Sequence, residues 1–77
     1  MILTIDNRVW LKMYFRYLEK EYGITLAYAE RNERILLTDT DGYFLMLANN
    51  FNDLNFFLLG FQEALRYQRE KQEEVKS

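Results

Sequence analysis

The stretch from Ile24 to Ala48 constrains this chain most. Three short apolar runs, ITLAYA, RILLT and YFLMLA, are separated by ERNE and DTDG. In the first run Ile24, Leu26 and Tyr28 alternate with Thr25, Ala27 and Ala29, the period of two of a half-buried strand. DTDG is a strong turn signal, because Gly42 takes positive φ without steric cost and Asp binds nearby backbone amides. Connections this short can only join antiparallel neighbours. The centre of the chain is therefore expected to be a three-stranded antiparallel meander.

Helical patterns flank the meander. Asp6 is the expected N-cap of a helix over about 6–22, and Gly23 suits the left-handed position that ends many helices. Within it Val9, Trp10, Met13, Tyr14, Tyr17 and Leu18 follow helical spacing, and Leu11 and Phe15 widen the apolar stripe. NNFND offers caps for a second helix, with Asn52 expected and Asn50 the alternative. Leu54, Phe57, Leu58, Phe61, Ala64, Leu65 and Gln68 then recur at helical spacing. Residues 70–77, EKQEEVKS, permit a helix but have little to bury, so a frayed polar tail is expected. The fold class is α+β: one small domain spanning 1–77, an α-β-β-β-α two-layer sandwich with both helices packed on the sheet.

A chain of 77 residues supports a core worth only about 3–5 kcal/mol without staples. It has no cysteine, hence no disulfide or thiolate metal site, and no histidine, the commonest metal ligand. The remaining stabiliser is association, and an apolar content of 49% is too high for disorder. The longest apolar run is the six residues 43–48, YFLMLA, and FFLL at 56–59 is shorter, so no membrane span is expected, and MILTIDNR does not read as a secretory signal. A cytoplasmic location follows as an expectation.

Enzymatic roles lack parts. The only serine is Ser77, a Ser-His-Asp triad has no histidine, and Gly23, Gly42 and Gly60 are too scattered for a phosphate loop. DTDG placed in a calcium loop with Gly42 sixth would put Leu37 and Ala48 at ligand positions, so a hairpin turn is the better reading of Asp39 and Asp41. No catalytic residue, metal or cofactor is expected. Gly60 and Ala64, one helical turn apart, read as a place of close helix packing.

Two surfaces remain as candidates. Arg8, Lys12, Arg16 and Lys20 recur every fourth residue, spanning about 120° of the first helix. They form a cationic stripe for phosphates or an acidic protein surface, with the aromatics directed elsewhere. Net charge is −2, not the strong basic balance of most nucleic-acid binders. The element order and length resemble those of the double-stranded-RNA-binding domain. That resemblance implies phosphate-gripping lysines at the start of the second helix, and NFNDLNFFLLG carries none there.

The other candidate is the sheet. With Arg31-Asn32 centring the first turn, Tyr28 opposes Ile35 and Leu26 opposes Leu37. With DTDG as a three-residue loop and Gly42 as its left-handed bulge residue, Tyr43, Leu45 and Leu47 join that same face. The opposite face then holds Leu36, Phe44 and Met46 among Thr25, Ala27, Ala29, Arg34, Thr38 and Ala48. A two-residue loop would exchange the faces of the third strand. Either register leaves an apolar patch, and such patches mark interaction sites unless one helix covers each face. The expected function is a non-enzymatic protein-interaction module of adaptor or inhibitor type, self-associating through Leu36, Phe44 and Met46 or a helix. A phage or mobile-element accessory role suits a chain this short. The alternative is a nucleic-acid-binding module using the cationic stripe.

Overall fold

The computed structural model describes residues 3–76, with the side chains of 75 and 76 left out, so Ser77 lies outside the described residues. The order is α1 (Ile5–Tyr22), β1 (Leu26–Arg31), β2 (Arg34–Asp39), β3 (Phe44–Ala48) and α2 (Phe51–Lys76). The expected α-β-β-β-α sandwich is the fold observed. The sheet order is β1-β2-β3, and both neighbouring pairs are antiparallel.

Each boundary has a local chemical cause. Thr4, not Asp6, caps α1: its hydroxyl accepts from the Asn7 amide at 3.0 Å, and Asn7 Oδ1 accepts from the Thr4 amide at 3.1 Å. This reciprocal pair satisfies two amides that a helix start leaves open. Asp6 instead sits in the first turn, where a negative charge suits the helix dipole. Gly23 ends α1 at φ +69°, and its amide donates to the Glu19 carbonyl. At the start of α2 the cap is Asn50 rather than Asn52, its Oδ1 accepting from the Asp53 amide at 2.9 Å. Asn52 lies inside the first turn, too late to serve.

The β1–β2 turn is centred on Asn32 and Glu33, at φ +51° and +58°, one residue later than the sequence suggests. Two positive φ values make the mirror-image turn that matches strand twist, and Asn enters the left-handed region readily. The register becomes Tyr28 opposite Leu37 and Leu26 opposite Asp39. Each partner moves by two residues, so every side chain of β1 and β2 keeps its expected face.

The β2–β3 turn forms as expected, with residues 40–42 as its loop and Gly42 at φ +86°. Asp39 Oδ1 accepts from the Asp41 and Tyr43 amides, both at 2.9 Å, and the Gly42 amide donates to the Asp39 carbonyl. The expected faces of β3 nevertheless fail beyond this point. Thr38 pairs with Phe44, but Leu37 pairs with Met46, so Leu45 is an extra residue in a β-bulge. The bulge turns Met46 and Ala48 inward and Leu47 outward, which corrects the expected sides of all three.

Both helices cover the same face of the sheet. The core is Leu3, Leu11, Leu18, Leu26, Ile35, Leu37, Ala48, Leu54 and Leu58, with Tyr28, Leu45 and Met46 packed against it. Four consecutive reversals, one at each connection, make α1 and α2 run parallel. Trp10 meets Phe51 edge-on at 5.5 Å, and Tyr14 OH lies 2.6 Å from Gln62 Oε1 and 3.2 Å from the Leu58 carbonyl. Further along, Arg69 lies over the Tyr22 ring at 4.6 Å and beside Glu21. Burial, reinforced by Tyr17 and Tyr22, pushes the Tyr14 hydroxyl pKa above the ordinary tyrosine value, so it stays a hydrogen-bond donor through neutral pH.

The radius of gyration, 13.8 Å, exceeds the ~11.5 Å of a compact chain this long. The cause is α2, whose 26 residues span about 39 Å. Its polar end, expected to fray, is helical to Lys76 and stays exposed from Arg66 to Glu74.

Candidate functional site

With both helices on one side, the other face of the sheet is open. Across it the register aligns Ala29, Leu36 and Leu47 in one row and Ala27, Thr38 and Phe44 in the next. Phe44 is 57% exposed and Leu47 45% exposed, while Leu36, opposite Leu47 on β2, is half-buried. A sheet face turned to water is usually polar. This one is apolar along its middle.

Leu36 and Phe44 lie where the sequence places them. Met46 does not, because the bulge packs it against the core and offers Leu47 instead. No local signal marks the exchange. Both registers have the same alternation, and only the room beneath the helices selects one.

One end of this face is basic. Arg31 and Arg34 stand directly opposite each other at the β1–β2 turn, two like charges side by side on the outer face. Both are exposed, and neither has an ion-pair partner among the described residues. At the far end of the sheet Asp41 is exposed at the tip of the β2–β3 turn and lines a cavity with Leu26, Leu45 and Phe61 on the helix side. The Asp39 carboxylate is already engaged by two backbone amides. Among the described residues no group of three or more acidic, His or Cys side chains could hold a metal ion.

A second apolar surface lies on the outside of α1. Val9 and Met13 belong to the expected core stripe, yet they are 51% and 66% exposed. The core takes a narrower arc of the helix, centred on Leu11 and Leu18. Ile5 and Tyr17 extend the exposed row at four-residue spacing, and Leu59 is exposed on α2. The sequence held a signal for this: Val9 lies seven residues before Arg16 and Met13 seven before Lys20. Residues seven apart share a helix face, so those apolar side chains had to sit among cations. Trp10 stacks on Tyr14 at 4.8 Å and lines the seam with α2.

The cationic stripe is divided. Arg8 Nε and Nη2 donate to Glu30 Oε2 at 3.1 and 2.8 Å, tying α1 to β1. Its two bonds to one carboxylate make it a strut rather than a free cation. Lys12, Arg16 and Lys20 remain exposed, with no ion-pair partner among the described residues.

Gly60 and Ala64 are not a packing contact. Both are exposed, and a Cβ on Gly60 would meet nothing within 4 Å. Nothing in the structure explains the glycine there. No helix among the described residues is long and apolar enough to cross a membrane. Compared with protein families, curated proteins and solved structures, the chain matches none.

Proposed function

We propose that the chain is a non-enzymatic protein-interaction module of adaptor or inhibitor type. One observation carries this reading: apolar side chains stand open on the outer face of the sheet, where no element among the described residues covers them. Leaving Phe44 and Leu47 in water forfeits burial worth about 1.5–3 kcal/mol for each side chain fully covered. A small domain with a thin margin gains from a partner that covers them. The exposed Val9 and Met13, framed by Lys12, Arg16 and Lys20, supply a second surface on the opposite layer. Two surfaces on opposite layers suit an adaptor.

The test is site-specific photo-crosslinking in cells that make the protein. A photoreactive phenylalanine analogue at position 44 is expected to yield discrete protein adducts, and the same group at Gln72 to yield none. Absence of any adduct from position 44 overturns the reading.

The unpaired cations on α1 favour one alternative, binding to nucleic-acid phosphates. With Arg8 engaged, three contacts remain, which set a log–log salt slope of about −2 to −3. Titration of duplex and single-stranded probes at two salt concentrations checks this. The protein-interaction reading expects no binding at low salt, and a slope in that range would replace it with the nucleic-acid reading.

A further inference from the structure

We propose that the cavity beneath the β2–β3 turn is a binding site for an organic ammonium group carried on a short apolar body. This site is separate from the open sheet face, and neither depends on the other.

The cavity lies at the end of the molecule where α1 stops. Its volume is about 310 Å³, at the small end of the range for ligand pockets. Leu26, Leu45 and Phe61, from β1, β3 and α2, give it apolar walls. Leu45 is the extra residue of the bulge. The irregularity that carries Leu47 outward thus also supplies one wall of the cavity, and bulges often re-aim a side chain in this way.

The polar lining has one sign. Asp39 and Asp41 contribute to it from the β2–β3 turn. Asp39 Oδ1 accepts from two backbone amides, while Asp39 Oδ2 and the Asp41 carboxylate have no hydrogen-bond or ion-pair partner among the described residues. α1 ends at Gly23 on the same rim, and a helix C-terminus carries partial negative charge. The Thr25 and Thr40 hydroxyls, 3.0 Å apart and hydrogen-bonded to each other, join the two sides of the rim and present further acceptor lone pairs. Among the described residues that line the cavity, none is Lys or Arg. Such a rim attracts a cation and repels an anion.

The walls decide which cation. Calcium takes about six to eight oxygen ligands, and no third acidic side chain joins Asp39 and Asp41. Apolar walls under a negative rim suit a carbon body that ends in an ammonium group, whose N–H donors match the free carboxylate oxygens. A free amine and the lysine side chain of a partner protein share this chemistry, and the test separates them.

The isotope-labelled full chain is titrated and followed by amide and methyl NMR shifts. Benzylammonium is expected to shift the amides of Gly23, Thr25 and Asp41 and the methyl groups of Leu26 and Leu45. A ligand of about eight non-hydrogen atoms sets a Kd of about 1 mM. Benzyl alcohol, similar in shape but uncharged, is expected to bind about tenfold more weakly or less, and benzoate not at all. Asp41→Asn, at an exposed turn, is expected to stay folded by circular dichroism. It weakens benzylammonium about fivefold, the upper end for an exposed ion pair, and leaves benzyl alcohol unchanged. Lysine amide acetylated at its α-nitrogen forms the second arm. Tighter binding than benzylammonium supports the site with a partner's lysine as its ligand, and weaker binding supports it with a free amine. The proposal is overturned if benzylammonium at about 20 mM leaves these signals unmoved. It is overturned equally if benzoate moves them as much, or if Asp41→Asn binds benzylammonium as tightly as the wild type.

Discussion

Replacing Leu37 by alanine is expected to leave most of the chain unfolded at 25 °C. Leu37 is fully buried on the central strand, opposite Tyr28 on β1 and Met46 on β3. It therefore touches the point where both strand pairs and the helix layer meet. Truncating a buried leucine costs about 2–5 kcal/mol, the lost transfer free energy plus a cavity that relaxes only in part. That range matches the whole stability expected of an unstapled core this size, about 3–5 kcal/mol. Urea titration followed by circular dichroism should show no cooperative transition for Leu37→Ala. Leu37→Met, close in volume, is expected to lose less than about 1.5 kcal/mol. An alanine variant that melts cooperatively with a loss under about 1 kcal/mol would remove β2 from the centre of the core.

The second large effect concerns the bulge in β3. Met46→Glu is expected to destabilise the protein by about 2–4 kcal/mol, because the carboxylate must either enter the core unpaired or pull β3 off it. Leu47→Glu, one residue later on the exposed face, is expected to change stability by less than about 0.5 kcal/mol. The regular register predicted from the sequence demands the opposite order. Two chemical-denaturation curves thus decide which alternation the strand follows, independently of any binding partner.

Much of the architecture was open to reading in the sequence because its causes are local. Gly23 and Gly42 take positive φ where the helix and the hairpin need it, and the leucines at 11, 18, 54 and 58 fall inside predicted apolar stripes. The helix caps were each misplaced by two residues. Thr4, Asp6, Asn50 and Asn52 are all competent caps, and the choice depends on which amide each side chain reaches. The turn at ERNE moved by one residue, yet the faces of β1 and β2 survived, because a two-residue change of partner preserves the alternation. The outside of α1 was misread for a different reason. Periodicity reports how apolar a face is, but the width of the buried arc depends on how deeply the helix sits on the sheet.

Of the candidate site, Leu36 and Phe44 followed from the strand alternation alone. Leu47 in place of Met46 did not, and neither did the loss of Arg8 from the cationic stripe. Arg8 meets Glu30 across 22 residues of chain, a pairing that only the docking of α1 on β1 creates. The sequence by itself determined the element order, the two glycine-dependent stops and the antiparallel meander, because each follows from backbone sterics and short connections. Tertiary structure alone decided which face of β3 is open. Leu45 and Met46 both find room against the core beneath the helices, so the strand takes an extra residue and Leu47 is carried to the outside.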